Sequence, residues 1–284
     1  MIIDFRIIGT GEEFWIGGYE SLPAFMERYK QLYDFERLCT LPFEAFLQEM
    51  EKSGVSLAVL HAEHSYGCAN LLNKTVGQQV KKHPDKLIGF AGVDPLASED
   101  PVSDLDRYVN EWGMKGLNLQ PWVQGWYAND KRLYPLYSYC QQKGLPVAIH
   151  ASLNFALHRR IDYSHPLYLE EIACDFPQLT IVANHGGWPW VNEMVAVAWK
   201  HPNVYLEIGG VSPKYIARPG TGWELFLTYA NSLLQDQILF ATDSLIPHER
   251  AVKEVDLLPL KDEVKEKLLY MNAMRVLNLR MPKP

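Results

Sequence analysis

Three short apolar runs of this 284-residue chain each end in an ionisable side chain. PVAI runs into His150, IVAN into His185 and ILFAT into Asp243. A histidine titrates near neutrality, so it can take or give a proton under ordinary conditions. A carboxylate in the same place can hold a cation or act as a base. Such groups are costly to bury alone, and three of them closing three apolar runs point to a shared catalytic site. Arg6 lies in a further run, IIDFRII, where strand alternation puts Asp4, Arg6 and Ile8 on one face. In KGLNLQP, Asn118 and Gln120 share a face, and Trp122 follows Pro121. The amides suit a substrate carbonyl or carboxylate, and the indole suits a planar ring. Glu207, in NVYLEIGG, is a further acid or base, or a residue that orients His185 or Arg6. His248 falls in the loop after Asp243, within reach of substrate.

Eight apolar runs recur, at 2–8, 56–62, 87–93, 115–121, 146–151, 180–185, 203–210 and 238–243. Helix-like stretches separate them at 70–83, 131–144, 166–176 and 191–201, with Gly144, Pro177 and Pro202 where helices should stop. A long amphipathic helix is expected over 260–279. Strands alternating with helices imply parallel βαβ units, and eight such units fit a closed α/β (β/α)8 TIM barrel. The expectation is a single barrel domain over residues 1–284, with the active site at the C-terminal ends of its strands. His150 and His185 then lie one βα unit apart, and His185 and Asp243 two. Residues 9–42 are rich in aromatics, including Trp15, Tyr29, Tyr33 and Phe35. They form either a lid over the barrel mouth or a helical insertion packed on its wall.

The net charge is −7, with the signs interspersed, which excludes the basic face of a nucleic-acid binder. No run approaches the ~18 apolar residues of a membrane span. Asp4 and Arg6 interrupt the apolar core a signal peptide would need, and Cys39, Cys68, Cys140 and Cys174 lack CxxC spacing. Free thiols and a cytoplasmic location are expected, and the tryptophan content suits a homodimer or larger homo-oligomer. Neither a dinucleotide fingerprint nor a G-x-S-x-G elbow is present.

HASL (150–153), NHGGWPWVNE (184–193), ATDSLIP (241–247) and NAMRVLNL (272–279) resemble landmarks of the amidohydrolase-2 family. KGLNLQP is similar to its fourth strand and IIDFRI to its first. The family includes relatives of aminocarboxymuconate-semialdehyde decarboxylase, aromatic-acid decarboxylases and hydrolases. The resemblance covers most of the chain outside residues 9–42. It implies that His150 is a metal ligand, that Asp243 is a ligand or a proton-handling carboxylate, and that His185 polarises substrate or shuttles a proton.

One departure matters. The family's first strand usually carries Asp-x-His-x-His, with both histidines on the metal. Here the segment is Asp4-Phe5-Arg6-Ile7-Ile8, and neither Arg6 nor Ile8 can ligate a divalent cation. His150 and Asp243 alone fall short of the three protein ligands of a catalytic zinc. Three readings are open. A divalent metal, zinc first, is held by a rebuilt set that recruits Asp4, His61, Glu63, His64 or His185. Alternatively no metal is needed: Arg6 takes its place, pairs with Asp243 or Asp4, and clamps a substrate carboxylate bidentately. In the third, the barrel only binds ligand.

The expected activity is hydrolysis of a small carboxylated or cyclic compound of lactone or amide type. Arg6 and His185 would polarise it, Asp243 would take a proton from water, and His150 would serve the leaving group. Non-oxidative decarboxylation of a small aromatic or unsaturated acid is the alternative.

Overall fold

The computed structural model describes residues 1–63, 69–95 and 97–280. Its strands are β1 (Ile3–Ile7), β2 (Leu57–His61), β3 (Leu87–Gly92), β4 (Leu117–Leu119), β5 (Val147–His150), β6 (Ile181–Asn184), β7 (Val204–Glu207) and β8 (Ile238–Leu239). Each pairs in parallel with the next. The first and last strands meet where Phe5 N donates to Phe240 O and Asp243 N to Arg6 O, both at 2.9 Å. All eight expected runs are strands, and the fold is a (β/α)8 barrel.

The strand faces divide the core in two. Phe5, Val59, Phe90, Ala148, Val182 and Leu239 form one cluster, while Leu60, Leu117, Ile149, Ile181 and Leu206 pack with residues of the surrounding helices. Both faces are therefore dry, which is why these runs read as nearly continuous apolar stretches. The helices obey their punctuation. Asp100 caps Pro101–Trp112 by accepting from Ser103 N, and Gly113 and Gly144 end helices at φ 70° and 65°.

Two expectations about regular elements need correction. The C-terminal helix runs only over 262–276 and contains a π-helical stretch, Lys267–Met271. The carbonyl of Leu268 accepts from Phe240 N at 3.0 Å, and Asn272 Nδ2 donates to Gln235 O and Ile238 O at 2.9 and 2.8 Å. That helix thus gives part of its hydrogen bonding to β8 and the residues that flank it. The second correction concerns β1. Its register against β2 slips between Asp4 and Ile7. Such a bulge re-aims side chains, and it separates two residues that strict alternation would place on one face. The Arg6 side chain meets His61, Asn118 and Asp243, whereas the Asp4 carboxylate accepts from the Arg6 backbone N at 3.1 Å and meets Thr242 and His248.

Residues 9–42 fold into short helices, including Glu27–Leu32 and Phe35–Thr40. Trp15, Met26, Phe35, Leu38 and Cys39 pack on Ile8, with Tyr29 and Tyr33 beside them. The segment reaches the barrel mouth as well: Tyr29 stacks on Trp122 with ring centroids 5.9 Å apart. It is a packed insertion that also walls the mouth. Among the described residues, no helix is long and apolar enough to cross a membrane.

Candidate active site

A cavity of about 890 Å³ opens at the C-terminal ends of the strands. Arg6, Glu63, Gln120, Trp122, His150, His185 and Asp243 all line it. Trp15, Tyr29, Tyr33 and Phe35 of the insertion complete one wall, and Phe155 and Trp188 another.

Arg6 organises the floor. Nε donates to Asp243 Oδ1 at 2.7 Å, Nη1 to Asn118 Oδ1 at 3.1 Å, and Nη2 to Glu63 Oε1 at 2.6 Å. Nη1 also lies 3.0 Å from His61 Nδ1, while His61 Nε2 lies 3.1 Å from the carbonyl of Phe5. A carbonyl can only accept, so His61 carries its proton on Nε2 and takes one from Arg6 on Nδ1. Burial, and then Arg6, hold its pKa well below the usual histidine value. A guanidinium has five N–H groups. Among the described residues four are committed, which leaves one on Nη2. The expected bidentate clamp on a substrate carboxylate is therefore replaced by a single directed donor.

Asp243 and His185 both sit just beyond their strands in left-handed backbone conformations, at φ 57° and 66°. For residues other than glycine this is uncommon and concentrates at functional sites. Each is held in place. Asp243 is fixed by its backbone bond to Arg6, and His185 Nδ1 donates to Gly209 O at 2.7 Å. That bond leaves Nε2 unprotonated on a ring that lines the cavity. Burial, followed by the charge of Arg6, lowers the His185 pKa to about 3, so the ring stays neutral. His150 lies beside it, with ring centroids 4.8 Å apart, and its Nδ1 is 2.9 Å from Ser164 Oγ. Burial and His185 depress its pKa as well.

Carboxyl groups outnumber the cation. Glu63, Asp243 and the fully buried Glu207 surround one guanidinium, and burial raises all three pKa values against the opposing pull of Arg6. For Glu207 the value is about 8. Its Oε1 accepts from Gly209 N, while Oε2 has no hydrogen-bond partner among the described residues. Because its folded pKa lies above the unfolded value, Glu207 contributes stability that is complete below about pH 4.5 and lost as pH rises through about 8. At roughly 1.4 kcal/mol per pH unit, that loss is on the order of 4–5 kcal/mol. Glu207→Gln keeps the acceptor for Gly209 and removes the ionisation. Urea unfolding at pH 6 and pH 9 should show a smaller fall for Glu207→Gln than for the wild type. Equal falls would place the Glu207 titration elsewhere.

The other expected site residues separate. Gln120 lines the cavity, with Nε2 3.4 Å from Glu63 Oε1, and accepts from Trp122 Nε1 at 3.1 Å. Asn118 does not line it; the amide supports Arg6 and donates to Ala62 O at 3.0 Å. His248 is a correction too. It begins the helix His248–Val255, is buried, and puts Nε2 3.0 Å from Asp4 Oδ2. Asp4 also accepts from Thr242 Oγ1 at 2.5 Å, so this pair fastens the strand ends rather than meeting substrate. No distinctive spacing singles out Ser164, which ends the short 3-10 helix Ile161–Ser164, or Gly209 and Phe155, which lie outside regular elements.

A divalent ion does not fit these residues. Asp243 Oδ1 is spent on Arg6, whose guanidinium fills the centre. Among the described residues, no three His, Cys, Asp or Glu side chains at the mouth bring ligand atoms within 4.8 Å of one another. His64, one of the residues a rebuilt set could recruit, lies outside the described residues.

Residues 25–279 match the amidohydrolase family, and the chain belongs to it. An uncharacterised TIM-barrel protein from Bordetella bronchiseptica is 29% identical, with 98% of each chain covered and a TM-score of 0.79. A 5-carboxyvanillate decarboxylase from Sphingomonas paucimobilis shares the fold at 17% identity, with 99% of each chain covered and a TM-score of 0.68. A 2-amino-3-carboxymuconate-6-semialdehyde decarboxylase from Dictyostelium discoideum is 25% identical over 157 residues. That match takes in 49% of this chain but only 44% of the curated relative's length.

Proposed function

We propose that this chain is a non-oxidative decarboxylase of a hydroxylated aromatic or related unsaturated acid, with Arg6 as resident cation where its relatives' pattern has metal-binding histidines. The observation that carries the reading is the buried Arg6 guanidinium, with one N–H to spare, facing an aromatic-walled cavity amid surplus carboxyl groups. The names of the relatives support it, since two of those described above are decarboxylases of unsaturated or aromatic acids.

The chemistry needs a proton at carbon. His185 Nε2 accepts a hydrogen bond from a ring hydroxyl and so favours electron density moving into the ring. Glu63 or Asp243, whose pKa values burial raises against the pull of Arg6, delivers a proton to the carbon bearing the carboxylate. The carbon–carbon bond then breaks, its electron pair returns to the ring, and carbon dioxide leaves. Apolar walls assist, because they favour neutral carbon dioxide over the carboxylate that precedes it. Arg6 orients that carboxylate through its remaining N–H. Lys214, Arg218 and Arg250 line the outer part of the cavity and favour an anionic substrate.

Hydrolysis of a lactone or amide is the second reading, and the unprotonated Nε2 of His185 favours it, because the same atom could activate water. A panel of hydroxybenzoates and aryl lactones assayed in D2O separates the two. Decarboxylation releases carbon dioxide and leaves deuterium on the ring carbon; lactone opening without carbon dioxide would replace the first reading with the second. Dialysis against a strong chelator should leave the rate within about twofold, since no metal-activated water is invoked. A larger loss restored by zinc or manganese would overturn the role given to Arg6.

A further inference from the structure

We propose that Glu170, Cys174 and His201 form a binding site for a thiophilic divalent cation, zinc above all, at the end of the barrel remote from the active site. Glu170 and Cys174 lie one turn apart on the helix Pro166–Asp175, so they share a face. His201 directly follows the helix Val191–Lys200. Both positions fall at the C-terminal ends of their helices, from which the chain descends into the starts of β6 and β7. The mouth, with Arg6 and His185, is at the opposite end.

The geometry is that of a tetrahedral face. Cys174 Sγ lies 3.4 Å from Glu170 Oε1 and 3.9 Å from His201 Nε2, and those oxygen and nitrogen atoms are 3.5 Å apart. Zinc bonds of about 2.3 Å to sulfur and about 2.0–2.2 Å to nitrogen and oxygen set ligand atoms roughly 3.3–3.6 Å apart. Closing the site therefore takes shifts of a few tenths of an ångström. The donor set is equally pointed. A thiolate, an imidazole and a carboxylate suit zinc or cobalt and are a poor match for magnesium or calcium, which want oxygen alone. Water would take the fourth position.

Two occupants must yield. The Cys174 thiol gives up its proton to solvent as the ion binds. Lys200 Nζ, which pairs with Glu170 Oε1 and lies 4.0 Å from Cys174 Sγ, swings away. Its side chain is 60% exposed, so the ammonium can move into water at little cost. The His201 side chain is only 12% exposed, which keeps its ring aimed at the other two ligands. Bound metal would clip two successive outer helices together.

Cobalt(II) titration of the full-length reduced protein tests this. The expected result is one ion per chain, with a thiolate-to-cobalt charge-transfer band and intense visible bands of tetrahedral cobalt. Cys174→Ser should abolish the charge-transfer band, and His201→Asn should weaken zinc binding at least tenfold in a dye competition. Lys200→Met, which removes the competing ammonium, should tighten it several-fold. Cys39 and Cys140 are buried, and the Cys174→Ser control separates Cys174 from Cys68. Circular dichroism of each variant confirms that it folds. A charge-transfer band that survives Cys174→Ser overturns the assignment. So does cobalt bound with no such band, which would put the ion on ligands other than a cysteine, and so does a failure to bind cobalt or zinc.

Discussion

Arg6→Met should reduce kcat/KM by at least ~10³ and lower the unfolding free energy by about 3–5 kcal/mol. Both effects come from one atom group. The guanidinium is the only buried cation facing Glu63, Asp243 and Glu207 among the described residues, and it also donates to Asn118 and His61. Methionine fills the volume but leaves Glu63 and Asp243 with no opposing charge. Their folded pKa values, already raised by burial, then rise further. An acid whose folded pKa exceeds its unfolded one contributes stability that is present below the unfolded value and lost as pH climbs through the folded one. The deficit of the variant should therefore be modest near pH 5 and widen towards pH 8. Urea unfolding of both proteins at the two pH values measures it. A deficit independent of pH would mean that the carboxyls do not depend on Arg6. Arg6→Lys restores the charge but cannot reach Asp243, Asn118, His61 and Glu63 from one ammonium. It should recover most of the stability and little of the rate.

The legible part of this protein is what depends on period and on buried charge. Eight apolar runs gave eight strands, because a sheet that is dry on both faces must be apolar along its length. His150, His185 and Asp243 stood out for the complementary reason: ionisable groups closing apolar runs have to meet, and the barrel brings them to one mouth. Arg6 was visible as an intruder in the first run, but the company it keeps was not. Strict alternation put Asp4 beside it, and the bulge against β2, a property of strand pairing, sent Asp4 to Thr242 and His248 instead. His248 shows the same limit. Its distance along the chain from Asp243 suggested the mouth, whereas a helix begins there and turns the ring inwards. The partners of the two rings, Gly209 for His185 and Ser164 for His150, come from a connection and a one-turn 3-10 helix whose geometry no local pattern announces.

His185→Asn should lower kcat by about 10²–10⁴ while leaving stability and substrate affinity nearly unchanged. Asparagine is the informative replacement because, after glycine, it tolerates the left-handed backbone at this position better than most residues. A loss with asparagine therefore reports on the imidazole and not on a distorted turn. The pH dependence carries the sharper test. With a pKa of about 3, set by burial and then by the charge of Arg6, Nε2 remains a free base throughout the neutral range. The wild-type kcat/KM should consequently show no loss attributable to this ring between pH 8 and pH 5. In Arg6→Met, or more usefully in the better-folded Arg6→Lys with its displaced charge, the depression should relax and the limb should move upward. A wild-type limb near 6.5 that disappears in His185→Asn would show an ordinary solvated histidine, and the base role would fall with it. A flat profile joined to the large kcat loss would tie the low basicity of this histidine to the arginine that fills the centre of the barrel.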